Sequence, residues 1–552
     1  MWIDFEGIDG SGKTSISVRL ARRLRTLGFK VHHVREHGEF RSRLVQGIRT
    51  LTRDAESILL SPETELLLNA AREAQLIAEE IRPALARGEI VLTDRGLHSH
   101  RIVAQDVRGL ARAATSPVVR FASGGLWPDA VLVVDVDPDV ARLRKRLGKI
   151  RERRLGTSGR KGLQGLRLSR LMRDGLLRQA AAEPRRWHVL GNTWRSIEDA
   201  EQQALWTIAP LLGIDPVPPG APESPPALPA GRSLDEWATG LFDVARQLVS
   251  RDAGLATLLV AGLADPRAEA IRADALPSQA PVVAWSVSGM NTAEAWHIRR
   301  RAAAEAPYQV ARSLTGLEEA DAWRWRENLS DLVPDQILHT LSGLEDARAH
   351  GLRYRLWDAA PEEGLRSLGG LSDARSWSFR FRALRRGRCS ALAESLSGLD
   401  FEVAWDLRGR MADEFPLSVL RSVRRLADPR AWKVRSRMAE CAPRQVLESI
   451  TGLDSPEARR FREDLGRDYP EETLGSLAGI DTADAWELRE RLLEAAPAGI
   501  LSSLQGFGRR PDAVSLAERA LACGGGSLRI LRKGAVFHLV KSRQAAAEVI
   551  LT

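Results

Sequence analysis

Gly7-Ile8-Asp9-Gly10-Ser11-Gly12-Lys13-Thr14 follows an apolar run at residues 2–5 and opens a helical pattern over residues 13–27, which Gly28 closes. The spacing is G-x-x-x-x-G-K-T, and the strand-then-helix setting is what gives it meaning. Glycines let backbone N–H groups curl around phosphates, and the helix N-terminus adds partial positive charge. Lys13 is placed to reach the β- and γ-phosphates of ATP, and the Thr14 hydroxyl to join a Mg2+ shell. The loop predicts a cofactor-binding set of Gly7, Asp9, Gly10, Ser11, Gly12, Lys13 and Thr14.

Outward from this loop, short β-branched runs at residues 30–34, 89–93, 130–136 and 187–190 alternate with helical stretches such as 63–87. That alternation predicts an α/β P-loop domain over residues 1–214, a parallel sheet flanked by helices. Residues 215–232 are crowded with proline and read as a semi-stiff linker. From 233 to 510 the chain repeats itself: a hydroxyl residue recurs at Ser286, Ser313, Thr340, Ser367, Ser395, Ser422, Ser449, Ser476 and Ser503, at a step of 27 with one step of 28. A fixed period of this size predicts an all-α solenoid of about nine two-helix units, loosely similar to HEAT repeats. Prolines such as Pro307, Pro334 and Pro361 open the second helix in most units, where a missing N–H costs nothing. Residues 511–552 read as a C-terminal cap, with alternation at 527–540 predicting a β-hairpin.

The chain has 552 residues, 44% hydrophobic and 28% charged, which excludes a disordered chain and predicts several domains. No apolar run is long enough for a membrane span, the start lacks signal-peptide features, and Cys389, Cys441 and Cys523 form no metal or disulfide pattern; the expected address is cytoplasmic. The net charge is +9, but residues 142–173 alone carry 13 Lys or Arg against Glu152, a local +12. The basicity is therefore one segment. It reads as a mobile arginine lid, a nucleic-acid patch or a solvated helix face; no aromatic residue is interleaved, which counts against single-strand stacking.

Several landmarks across residues 1–214 resemble the thymidylate kinase family, a group of P-loop nucleoside monophosphate kinases. The opening from Ile3 to Thr14, the turn Arg35-Glu36-His37-Gly38, the helix Leu66-Leu67-Leu68-Asn69-Ala70-Ala71-Arg72, the strand end Thr93-Asp94-Arg95 and the run Val133-Val134-Asp135-Val136-Asp137-Pro138 stand in the family's order. The resemblance implies transfer of a phosphoryl group from ATP to a nucleoside monophosphate, dTMP + ATP to dTDP + ADP. It implies acceptor contacts from Asp9, Arg35, Arg49, Leu68, Arg72, Arg95, Ser99 and Gln105. Lys13, Asp94 and Arg95, with lid arginines Arg151, Arg153 and Arg154 (Arg160 lies in the same stretch), would be catalytic, and Thr14 and Asp94 would serve the metal. An anionic acceptor needs no strong base, so this chemistry is positioning plus charge neutralisation. A homodimer through the kinase-like domain is a further expectation.

The departures all lie on the acceptor side. Leu68 stands where the family stacks a phenylalanine, Gly96 where an aromatic residue or histidine follows Asp-Arg, His37 where proline is usual, and Gln105 is one residue late. In the repeats, arginine recurs from Arg272 to Arg489, and tryptophan stands three residues earlier in most units, on the same helix face. Two readings stand: tryptophan wedges with arginines bonded to neighbouring carbonyls, or an arginine stripe that recognises an acidic partner. Either way the zone reads as a binding scaffold for a protein partner or a regulator rather than a second enzyme, with nucleic acid and membrane not expected. The alternative to an enzyme is an ATP-binding switch whose solenoid binds a protein.

Overall fold

The apolar runs form five parallel strands: β1 (Trp2–Glu6), β2 (Val31–His33), β3 (Ile90–Asp94), β4 (Ala130–Asp135) and β5 (Trp187–Gly191), in the order β2-β3-β1-β4-β5. In register, Ile3 lies opposite Leu92 on one side and Ala130 on the other. β1 and β3 are buried along their whole length, because helices cover both faces. The helices are α1 (Lys13–Thr26), α2 (Arg43–Arg53), α3 (Pro62–Leu76), α4 (Arg82–Ala86), α5 (Leu97–Ile102), α6 (Arg112–Ser123), α7 (Pro138–Arg151), α8 (Leu166–Ala182) and α9 (Ile197–Leu212). The computed structural model describes residues 1–36, 38–54, 56, 60–152, 166–222, 224–229, 231–387, 389–523 and 527–534. By its internal contacts the chain divides into two units, residues 1–146 with 158–225 and residues 147–157 with 226–552.

The single helix expected over residues 63–87 is interrupted. A π-turn at Ile77–Ile81 separates α3 from α4, with the Arg82 N–H donating to the Ile77 carbonyl. Pro83 supplies the reason: it has no N–H to carry the α-helical ladder through this point. A second π-turn, Val103–Val107, follows α5.

The second unit, described by itself, is built of helices joined by short turns, with no strand among its described residues. It opens with α10 (Leu234–Val249), α11 (Ala253–Leu259) and α12 (Pro266–Ser286), and α10 carries a capping box between Ser233 and Glu236. Short helices then stack in series: Pro307–Ser313, Pro334–Thr340, Pro361–Arg366, Ser390–Ser395, Pro416–Ser422, Pro443–Ser449, Pro470–Ser476 and Pro497–Ser503. Longer helices bearing the Trp–Arg pairs alternate with them. The stack closes on itself: the helix Pro511–Cys523 packs against α10, and the Leu234 N–H donates to Glu518 Oε1 at 3.1 Å. The hairpin expected at the tail is corrected over residues 528–534, which are helical; Ile530 and Leu531 are buried there and Arg532 donates to the Ala261 carbonyl at 2.9 Å. Residues 535–540 lie outside the described residues. Alternation over so few residues fits a helix turn buried on one side as well as a strand.

The repeated arginines are interior groups. Arg272, Arg299, Arg326, Arg353, Arg380, Arg408, Arg435, Arg462 and Arg489 are all at most 2% exposed. From Arg299 onward, Nε donates to a Ser or Thr hydroxyl in the following short helix, and Nη2 to a carbonyl at the end of the preceding one. Where a tryptophan precedes, the guanidinium lies over its ring, 4.4 Å from the centroid at Arg299 and Arg408. None of these eight bonds a carboxylate among the described residues, and burial pushes each down to about 10. What offsets the buried charge is the carbonyl ends of two successive helices, each worth roughly half a negative charge. The stripe for an acidic partner is thereby corrected for these nine residues: their side chains are spent inside the fold.

Candidate active site

Loops after β1 and β3 open at the carboxyl edge of the sheet, where α/β folds hold their ligands. Gly7, Gly10 and Gly12 have φ of 149°, 91° and 93°, and Lys13 begins α1. A Cβ on Gly10 would sit 2.1 Å from the Ala141 carbonyl oxygen, so the loop can take this path only with glycine there. Asn192, which no sequence signal marked, donates to the Ser11 carbonyl at 2.7 Å and braces the loop from the far side of the sheet.

Lys13 is buried, and burial followed by the neighbouring Arg95 charge lowers its pKa. Its Nζ is 3.9 Å from Asp9 Oδ1. Asp9 also receives Arg95 Nη2 at 2.8 Å, and that guanidinium holds its carboxyl far below the usual range. Arg95 takes a left-handed backbone, φ 71°, which a non-glycine residue adopts only when its surroundings fix it. Its Nη1 donates to Ser99 Oγ at 3.0 Å. Ser99 in turn donates to Glu6, a wholly buried carboxylate that also accepts the Ser99 N–H at 2.9 Å. Glu6 was absent from the sequence expectations as a site residue, yet it is the anchor that sets Arg95 and the start of α5.

Asp94 ends β3 facing the phosphate loop. Its Oδ2 accepts the Thr14 hydroxyl, while Oδ1 is buried with no partner. Burial pushes Asp94 up, but the Lys13 ammonium and the Thr14 bond outweigh it, so the group is held below its ordinary value as an anion. An unpartnered carboxylate oxygen beside a threonine hydroxyl is a hard-oxygen donor set of the sort that Mg2+ takes together with nucleotide phosphates and water.

The acceptor-side arginines converge from three elements. Arg35 leaves the end of β2, Arg49 and Arg53 come from α2, and Arg72 from α3. Arg49 and Arg53 form no ion pair with a carboxylate among the described residues, and burial, then neighbouring arginines, lowers both to about 10. Arg72 bonds Glu73 Oε1 at 2.6 Å and His100 Nε2 at 2.6 Å. Against the upward push of burial, Arg72 and His100 hold Glu73 down to about 2. Glu73, His100, Arg53 and Phe40 were all missed by sequence reasoning, since only folding brings α2, α3 and α5 together.

The remaining expected residues are scattered. Leu68 is half-buried on α3. Gln105 lies inside the second π-turn and donates to Thr115 Oγ1 on α6, a contact internal to the fold. Arg151 groups with the second unit and donates to Gln279 Oε1 at 2.8 Å. Arg153, Arg154 and Arg160 lie outside the described residues. Gly96, the departure after Asp94-Arg95, is explained by its neighbour: a Cβ there would stand 3.1 Å from Asp4 Oδ2.

Comparisons with known proteins bear on this site. A family model described as thymidylate kinase matches residues 5–204. The thymidylate kinase of Nitratidesulfovibrio vulgaris (strain DP4) is 35% identical over 213 residues, covering 39% of this chain and 94% of that protein. That of Pelobacter propionicus is 37% identical over 191 residues, covering 34% and 84%. A crystal structure of thymidylate kinase from Ehrlichia chaffeensis covers 38% of this chain and 98% of its own, at 25% identity and a TM-score of 0.29. With a relative matched over nearly its whole length, and with phosphate loop, Asp94 and Arg95 meeting at one sheet edge, the chain belongs to the thymidylate kinase family and carries a nucleoside monophosphate kinase in its N-terminal unit.

Proposed function

We propose that the N-terminal unit transfers the γ-phosphoryl group of ATP to dTMP, giving dTDP and ADP, and that the helical unit is a scaffold for a protein partner. The observation that carries the first part is the acceptor-side charge: Arg49 and Arg53 are half-buried cations without a carboxylate partner among the described residues, beside Arg35, Arg72 and Arg95. Half-buried cations of this kind call for an anion from outside. A monophosphate supplies two negative charges through charge-assisted bonds.

The chain's own groups divide the work. The loop N–H groups and Lys13 grip the donor phosphates. Arg95, fixed by Asp9 and Ser99, faces the acceptor phosphate, and Arg35 and Arg49 hold its outer oxygens. Lys13 neutralises charge on the transferring group. Thr14 and Asp94 would hold Mg2+, which when bound would supply positive charge to offset that of the donor phosphates. No described side chain is required as a strong base, because the attacking phosphate oxygen is already anionic at neutral pH. Names of the relatives support thymidylate as acceptor.

A coupled ADP-release assay over a panel of monophosphates tests this, with Lys13→Ala as control. We expect dTMP to be the best acceptor and Lys13→Ala to lose about a hundredfold or more in rate. ADP release that ignores every acceptor would refute phosphoryl transfer and favour an ATP switch.

A further inference from the structure

Phe40 sits at the centre of the acceptor-side arginines, and nothing in the motif reading drew attention to it. The guanidinium carbons of Arg35, Arg49 and Arg72 lie 5.4, 5.7 and 5.8 Å from its ring centroid. These three cations come from separate elements: the segment after β2, α2 and α3. The ring itself is fixed. It is half-buried and packs on the apolar cluster that includes Trp2, Val34, Val45 and Leu66, and the Phe40 backbone N–H donates to Gln46 Oε1 at 3.3 Å.

Three like charges held this close repel one another, so something must offset them before a ligand arrives. A carboxylate does so by occupying N–H groups, as Glu73 does for Arg72, and then competes with an incoming phosphate for those donors. An aromatic face attracts guanidinium through its quadrupole and leaves the in-plane N–H donors available. Arg49 illustrates the point: its contact in the structure is the ring, with no hydrogen bond to a carboxylate among the described residues.

We infer that Phe40 is a positioning residue for the acceptor nucleotide: its ring gathers Arg35, Arg49 and Arg72 into one donor array without itself consuming their N–H groups. This rests on the acceptor site proposed above. Phe40 touches no reacting atom; it acts through the three arginines.

The full-length chain carries the test, with Phe40→Leu, Phe40→Tyr and Phe40→Trp. Calorimetry reads dTMP affinity, steady-state kinetics read kcat and the KM for each substrate, and thermal melting reads folding. We expect Phe40→Leu to weaken dTMP binding and raise its KM by about tenfold, the sum of lost ring contacts, while the KM for ATP and the melting temperature stay put. Phe40→Tyr and Phe40→Trp, which keep an aromatic face, should stay within about threefold of wild type. The inference is overturned if wild type binds dTMP and Phe40→Leu binds it equally well, or if the Tyr and Trp variants are as impaired as Leu. It is also overturned if ATP and dTMP constants shift together. Wild type that binds and phosphorylates no monophosphate is a different result, and it brings down the acceptor site first.

Discussion

Replacing Arg408 by methionine tests the account of how the helical unit holds its buried charge. Arg408 is 1% exposed, with Nε on Ser422 Oγ at 3.0 Å and Nη2 on the carbonyls of Leu396, Leu399 and Ser422 at 2.7, 2.8 and 3.2 Å. Its guanidinium also covers Trp405. Methionine keeps most of the apolar stem but leaves three buried carbonyl oxygens and the ends of two short helices without a cation. Bonds to a charged donor are worth about 1.5–3 kcal/mol each, and relief of the buried charge returns part of that; we expect a net loss of about 3–5 kcal/mol. Because each unit leans on its neighbours, the loss should be local. Hydrogen exchange of peptides over residues 390–422 should quicken by about a hundredfold or more, while residues 1–146 stay unchanged. Arg408→Lys should behave much like methionine, since one ammonium cannot span the Nε and Nη2 partners. Arg437→Met, which removes a surface pair with Asp413, is the control and should cost about 0.5 kcal/mol or less. Exchange unchanged within about threefold in Arg408→Met would refute the idea that these arginines clamp successive helix ends.

Two further outcomes follow from the first unit. Gly10→Ala places a Cβ 2.1 Å from the Ala141 carbonyl and should lower ATP affinity by about a hundredfold, whereas Gly28→Ala, at the same φ of 91° but with open space around it, should cost only about 1 kcal/mol of stability and leave ATP binding alone. His98 lies between Trp127 and Trp187, 2% exposed with neither ring nitrogen partnered, and burial pushes it down to about 3. The unfolded chain takes up that proton near pH 6.5 and the folded one only near 3, so stability is lost as pH falls through this window, by about 1.4 kcal/mol per unit. A chemical-denaturation series from pH 7 to 4 should show that slope, and His98→Phe should flatten it.

The phosphate loop was legible because its chemistry is local. Eight consecutive residues fix the turn, and glycine, lysine and threonine each answer a need that a few ångströms of chain can meet. The same holds for the strand run ending at Asp94-Arg95 and for the 27-residue period. The acceptor side was legible only in part. Arg35, Arg49 and Arg95 could be expected there, but Gln105 turned to Thr115, and Phe40, Glu6, Glu73 and His100 carried no signal, because their roles arise from neighbours that folding brings in from other elements, as Ser99 is brought to Glu6 from 93 residues away.

The sequence by itself determined the kinds of element outside the tail, the P-loop and the 27-residue period, since backbone preference and apolar periodicity act over one or two turns. Only the tertiary structure decided which way the repeated arginines face and what their charge meets. A spacing of three residues puts Trp405 and Arg408 on one helix face, yet it cannot say whether that face meets water or two helix ends. Tertiary packing also decided that the last described helices of the second unit meet that unit's own first ones, a matter of how successive helices pack that no single repeat contains.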